Sequence, residues 1–210
     1  MVLYYLIALS PLSPFNRFIK RSFDILISTL GLILTCWIIF LAYLAASINT
    51  KKNGFFTQSR IGRNGKLFNV IKIRTMREDS TVNTTVTTAN DPRITSLGRF
   101  LRKTKIDELP QLINIFLGDM SFVGPRHDVP GFADQLKGDD RIILTIIPGI
   151  TGPATLKYGN EELLLAEQKD PEKYNREVIY PDKVNLNKEY VINYRFWNYM
   201  KYIFQTIFKK

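Results

Sequence analysis

The longest run of apolar positions extends from Ile25 to Ile48, "ILISTLGLILTCWIIFLAYLAASI", twenty-four residues without a formal charge. As a helix it would measure about 36 Å, longer than the roughly 30 Å hydrocarbon core of a bilayer. A secretory signal is the rival reading, but the run leads into Asn49, Thr50, Lys51 and Lys52 rather than a small-residue cleavage site. It predicts a retained membrane segment. Beyond it the pattern changes. In "GFFTQSRIGRNGKLFNVIKIRTM", residues 54–76, two apolar-bearing runs flank Asn64-Gly65, a hairpin-turn dipeptide. Period two puts Phe68, Val70, Lys72 and Arg74 on one face of the second strand. Residues 80–90, "STVNTTVTTAN", are polar and low in complexity and predict a mobile loop.

"DPRITSLGRFLRKTKI" carries Ile94, Leu97 and Leu101 at helical spacing, with Arg99 and Arg102 sharing a face. Asp107 then stands where it can cap a new helix, with Pro110 in the first turn. Leu112, Ile113 and Phe116 form that helix's expected buried stripe, and Gly118 its stop. "GDMSFVGPR" and "IIPGITGPA" read as Gly/Pro turns, followed by helix around 161–169 and a Pro-punctuated stretch to Asp182. The C-terminal "YVINYRFWNYMKYIFQTIFKK" mixes rings with Arg195, Lys201, Lys209 and Lys210. That suits an amphipathic helix lying in the membrane interface, a packed core helix being the rival. Residues 1–12 are apolar but too short to span. No internal repeat, P-loop or dinucleotide fingerprint occurs.

Charge sharpens this picture. Of a net +10, residues 1–52 carry five cations and one acid, 53–105 eleven and three, and 106–210 thirteen and fifteen. The excess lies beside the membrane segment and implies an anionic partner: a membrane surface, a nucleic acid or a phosphorylated substrate. A lone cysteine, Cys36, excludes an internal disulfide and a Cys-rich metal site. Arg17, Lys20 and Arg21 precede the apolar run and Lys51 and Lys52 follow it. The positive-inside rule wants such clusters on one side. A helix that enters, breaks and returns would satisfy both, with Ser28, Thr29, Gly31 and Thr35 as bend candidates; a plain single span remains the alternative. Asp24 at the edge of the run is expected to pair with Arg21 or a nearby lysine.

Against this background "TKIDELPQL" is the most informative stretch. Asp107 and Glu108 stand together after Arg99, Arg102, Lys103 and Lys105. A carboxylate at a helix start among cations is held ionised, and the same cations attract phosphate. A carboxylate beside phosphates can hold Mg²⁺ or act as a nucleophile that forms an acyl phosphate. The plain alternative is an N-cap with an exposed ion pair.

The chain resembles the bacterial sugar transferases that act on polyprenyl phosphate, the monotopic phosphoglycosyl transferases. The residues that carry the resemblance are "KRSFDILIS" with Gly31-Leu32, "GFFTQSRIGRNGKLFNVIKIRTM", "RITSLGRFLRKTKIDELPQLINIFLGDMSFVGPR" at 93–126, and "PGITG" at 148–152. The resemblance implies an α/β fold, mostly helical. Residues 1–52 would form a membrane-inserted, re-entrant helix, and 53–210 a cytoplasmic catalytic domain with a small β-hairpin and interfacial amphipathic helices. It implies transfer of a sugar phosphate from a nucleotide diphospho-sugar to polyprenyl phosphate at the bacterial inner membrane, with Mg²⁺. Asp107 would be the nucleophile, and Glu108 its partner as base or, with Asp107, metal ligand. Lys72, Arg74, Arg102 and Arg126 match cations that hold phosphate, and Asp182 matches a functional acid. A nucleic acid is not an expected partner; a homodimer is compatible with the pattern.

The chain departs from the family in places. It has no proline between Pro14 and Pro92 to break the membrane helix. The family's Pro-Arg-Pro reads Pro125-Arg126-His127, and His127, the only histidine, is expected in a turn or at the surface, a catalytic base being the rival reading. After Gly152 the sequence diverges, which is where sugar choice is expected to reside. Two rival functions are a membrane-anchored basic adaptor for anionic lipid or nucleic acid, and a phosphatase using the same aspartate with water as acceptor. The adaptor leaves Asp107-Glu108 inside the cationic cluster unexplained.

Overall fold

The computed structural model describes residues 12–77 and 91–208, so the loop expected over 80–90 lies outside them. Helix α1 (Pro14–Thr50) is one uninterrupted helix of 37 residues, about 55 Å long at 1.5 Å per residue. Ser13 caps it and Lys51, in the left-handed conformation, ends it. By length and composition it can cross a membrane, its most apolar stretch having a mean hydropathy of 2.5. Its inner stripe, Lys20, Asp24, Ser28, Ile39, Ala42 and Ala46, recurs at helical spacing and packs on the rest of the chain. Ile33, Leu34, Trp37, Phe40 and Leu41 stay exposed.

The cations before the membrane run are used by the protein itself. Lys20 is buried, pairs with Asp24 at 3.6 Å and donates to the Ser121 hydroxyl. Asp24 also accepts from the Phe122 N–H and the Tyr199 hydroxyl, joining α1 to the last helix. Arg21 donates to the carbonyls of Ile115 and Phe116.

Strands β1 (Phe55–Ile61) and β2 (Leu67–Ile73) form the expected antiparallel hairpin, with Phe56 opposite Lys72. Asn64 and Gly65 both take positive φ in the turn. Helix α2 (Ser96–Lys103) is capped by Thr95 and buries Gly98 and Leu101. A 3-10 turn (Ile106–Glu108) leads to α3 (Gln111–Leu117), which ends at Gly118 with φ 96°, a conformation favourable only to glycine. Two expectations are corrected here. Pro110, not Asp107, occupies the entry to α3, because Lys105 turns the chain with φ 58° and places Asp107 inside the preceding 3-10 turn. The buried face of α3 is Gln111, Leu112, Asn114 and Ile115, whereas Phe116 is exposed, so two amides share that face with the apolar residues.

"SFV" and "GIT" are more than turns. They are β3 (Ser121–Val123) and β4 (Gly149–Thr151), a parallel pair extended by a bridge between Arg126 and Gly149. The backbones approach so closely that a Cβ on Gly149 would overlap Gly124. Then come α4 (Pro153–Lys157), α5 (Glu161–Ala166) and α6 (Pro171–Tyr174), a π-helical turn (Asn175–Ile179) and α7 (Tyr180–Ile192). The Pro-punctuated stretch is thus helical, with its prolines at helix starts where a missing N–H costs little. Helix α8 (Phe196–Phe208) buries Tyr199 against Val123, Tyr190 and Val191, and exposes Trp197, Phe204, Ile207 and Phe208. One face is core, as the rival reading expected, and the other is apolar and open. The described protein is mostly helical, with two small two-stranded sheets.

Candidate active site

Asp107 and Glu108 project from the 3-10 turn between α2 and α3, and their surroundings differ. Glu108 accepts from Lys72 Nζ at 3.0 Å, reaching back to β2. Burial is the largest single influence on Glu108 and acts upward, but Lys72, Lys105 and Arg126 together outweigh it and bring its pKa down to about 2. Asp107 is 7% exposed and its Oδ1 has no hydrogen-bond partner. Burial, and then the neighbouring Glu108 charge, push its pKa up to about 6 against the pull of Lys72, Lys105 and Arg102. Two adjacent carboxyl groups are thereby driven apart, one firmly ionised and one poised near neutrality.

The other expected site residues divide. Arg102, on α2, donates to Thr75 Oγ1 at 3.0 Å and to Met76 Sδ, which keeps its charge near Asp107. Arg126, exposed after β3, is close enough to stabilise the Glu108 anion. Arg74 follows β2 on the Lys72 face, but it donates to the Asn53 carbonyl at 2.8 Å and lies over the Phe56 ring at 5.6 Å. Asp182 sits on α7 and bonds Lys157 and the Tyr158 hydroxyl, each at 2.7 Å. So Asp107, Glu108, Lys72, Arg102 and Arg126 act on one another, whereas the bond described for Arg74 runs to Asn53 and those of Asp182 to Lys157 and Tyr158.

His127 corrects an expectation, because it is 6% exposed. Its ring meets Phe68 edge-on, and burial with the charges of Arg60, Arg126 and Lys72 keeps it neutral. Its Nδ1 lacks a partner, as do Arg60 Nε and Gln111 Nε2. With Asp107 Oδ1 these atoms give the neighbourhood unmet hydrogen-bonding capacity, which in a native structure calls for an explanation such as a ligand. The sequence offered little to find Gln111 and Asn114, since amides on an otherwise apolar helix face look like solvent positions. Asp128, next to His127, is raised to about 6 by burial, opposed by Lys183, Arg126 and Arg60.

Among the described residues no three His, Cys, Asp or Glu side chains converge as a metal cage. Mg²⁺ does not need one: it keeps waters and binds through one or two carboxylates together with substrate phosphates. Asp107, with an unused oxygen, and Glu108 fit that requirement.

A family model described as bacterial sugar transferase matches residues 15–210. The chain is 35% identical over 206 residues to the UDP-glucose:undecaprenyl-phosphate glucose-1-phosphate transferase of Escherichia coli, covering 95% of this chain and 42% of that protein. It is 35% identical over 209 residues to the undecaprenyl-phosphate galactose phosphotransferase of Salmonella typhimurium, covering 91% and 40%. With the undecaprenyl-phosphate glucose phosphotransferase of Komagataeibacter xylinus it shares 33% over 209 residues, covering 94% and 36%. The chain thus spans about two fifths of the length of these curated relatives.

Proposed function

The chain belongs to the bacterial sugar transferase family, and from that premise we propose that it transfers a sugar 1-phosphate from a UDP-sugar to undecaprenyl phosphate, releasing UMP. The observation that carries the reading is Asp107, buried and unpartnered on Oδ1, beside an ion-paired Glu108 and within the field of Lys72, Arg102, Lys105 and Arg126.

The reaction runs in two displacements. The Asp107 carboxylate attacks the phosphorus that bears the sugar, and the bond from that phosphorus to the bridging oxygen breaks, so UMP leaves with the electron pair. The resulting acyl phosphate is attacked by an oxygen of undecaprenyl phosphate. Its P–O bond to Asp107 breaks, restoring the carboxylate and giving the sugar diphospholipid. No oxidant is consumed, and the phosphorus passes twice through a charged transition state. Lys72, Arg102 and Arg126 neutralise that charge, as positioning and electrostatics do in phosphoryl transfer generally. Arg74 adds positive field at the end of β2, and Asp182 contributes by holding Lys157 and Tyr158. Asp107 and Glu108, together with substrate phosphates, would hold Mg²⁺, which would supply charge neutralisation. Glu108 stays ionised and keeps Lys72 in place.

The lipid acceptor explains the membrane helix. We place the site on the cytoplasmic face of the bacterial inner membrane, with α1 re-entrant and the open apolar face of α8 in the interface. Thr29 and Thr35 bond the carbonyls of Ile25 and Gly31, each four residues back, a pattern that can bend a helix, although α1 itself runs unbroken.

The test is UMP release by purified protein in detergent, with Mg²⁺, undecaprenyl phosphate and a panel of UDP-sugars, beside Asp107→Asn. UMP from at least one sugar, abolished in the variant, is the expected result. UMP release that persists in the variant would remove Asp107 as nucleophile. Free phosphate without lipid-linked sugar would make the protein a phosphatase.

A further inference from the structure

Lys72 can hold Glu108 only while β2 keeps its register along α3, and apolar contact alone does not fix register. Val70 packs on Leu112, Ile115 and Met120, a contact without directionality. A slip of two residues would keep an apolar residue, Phe68, on that face and carry Lys72 about 7 Å along the strand. The directional element is Asn114, which is 1% exposed. Its Oδ1 accepts from the Ile71 N–H at 3.0 Å and its Nδ2 donates to the Asn69 carbonyl at 2.8 Å. The two bonds bracket Val70 as a neighbouring strand would, and one ends beside Lys72.

Asn114 is itself immobilised. Its own carbonyl accepts from the N–H groups of Gly118, Asp119 and Met120. Arg21, from the flank of the membrane helix, donates to the next two carbonyls, those of Ile115 and Phe116, at 2.6 and 2.7 Å. The helix that carries Asn114 is thus tied to α1 at one end and emerges from the Asp107-Glu108 turn at the other.

We propose that Asn114 is a positioning residue for the Lys72–Glu108 pair, its amide locking β2 against α3 in the register that sets Lys72 on Glu108 beside Asp107. This rests on the reading of Asp107 and Glu108 as the reacting pair. Asn114 touches no substrate. It acts through β2, and its removal therefore costs turnover only as far as Lys72 is displaced.

A double-mutant cycle on kcat/KM for UMP release tests this, using wild type, Asn114→Asp, Lys72→Met and the double variant. Asn114→Asp keeps the acceptor for Ile71 and loses the donor to Asn69. Each single change is expected to cost about 10²-fold, as an ångström-scale displacement does. The double variant is expected to fall no further than Lys72→Met alone, with donor KM near the wild-type value in Asn114→Asp. Losses that multiply to about 10⁴-fold would overturn the proposal, as independent sites behave that way. So would a Lys72→Met protein of full activity, since there would be no pair to position. Thermal unfolding in detergent accompanies each variant. Should Asn114→Asp not fold, Asn114→Ser carries the same cycle, and if neither folds the proposal falls because Asn114 then holds the fold rather than the pair. A wild-type protein that releases no UMP removes the reading beneath the proposal. An intact wild-type rate with multiplying losses removes only the part given to Asn114.

Discussion

Asp107 and Asp182 are both aspartates set among cations, and the protein pairs one in the open and leaves the other buried and unpaired. Asp182 takes an ammonium from Lys157 and a hydroxyl from Tyr158, and those bonds hold its carboxyl below the usual range. The next residue, Lys183, is matched by Glu161 at 2.7 Å. Asp107 feels Lys72, Arg102 and Lys105, yet its Oδ1 bonds nothing and burial lifts its pKa to about 6. An exposed acid with an ion pair and a hydroxyl on one oxygen, and water open to the other, is stable where it stands. An acid left buried and incomplete retains affinity for a proton, a cation or an electrophilic phosphorus, and that combination marks functional sites more often than scaffolds.

The strongest way to break this contrast is Asp107→Asn. UMP release is expected to fall at least about 10³-fold, the scale for loss of a covalent nucleophile. Stability should move the opposite way. The rise from 3.8 to about 6 corresponds to up to about 3 kcal/mol of cost for the buried charge at neutral pH. Urea unfolding followed by intrinsic fluorescence would therefore show the variant more stable than wild type. An inactive variant that is also less stable would place Asp107 with Asp182 as scaffold.

Lys72→Met comes next, at about 10²-fold in UMP release, because Glu108 loses its 3.0 Å partner and the site a phosphate-facing cation. A loss below threefold would show that Arg102 and Arg126 suffice. The pH dependence is smaller again. Asp107's folded pKa is raised, so its protonation stabilises the fold fully below pH 3.8, and that contribution is lost as pH rises through about 6. Wild type minus Asp107→Asn, measured in chelator between pH 4 and 8, should show this fall, Asp128 being common to both. Turnover runs in the opposite sense, falling as the carboxylate is protonated, since only the carboxylate attacks, with the fall moved below pH 6 by bound Mg²⁺. A flat profile would mean the carboxyl is ionised throughout.

The parts of the fold that were legible in the sequence are those with strong local signals. The apolar run, the Asn64-Gly65 turn, the Thr95-capped helix and the Gly118 stop each appear where their residues placed them. The misreadings came where tertiary contact decides. "SFV" and "GIT" are too short to show a period, and become strands only because Gly124 and Gly149 let their backbones meet. Asp107 looked like a cap because Pro110 follows it, but the positive φ of Lys105 is set by packing and is invisible in the residue type. Lys20 and Arg21 looked like membrane-surface charge, and instead satisfy Ser121 and the end of α3. The acid pair stood out through its cationic neighbours and the family resemblance; Asn114 and the burial of His127 required the fold.

Asp182→Asn is the smallest change and the one that best sharpens the contrast. Its partner Lys157 is half exposed, with 53% of its side chain open and 36% of Asp182's. Such pairs contribute less than about 1 kcal/mol, so the unfolding midpoint should scarcely move. The Tyr158 hydroxyl would keep a neutral amide oxygen to bond, and turnover should drop less than about tenfold, with any loss carried in donor KM. Charge near Lys157 is what changes, so a KM effect should shrink as salt screens that ammonium. A loss in kcat on the scale of Asp107→Asn would erase the distinction: an exposed, ion-paired acid would then share the chemistry, and a buried unpartnered oxygen would no longer mark the reacting residue in this fold.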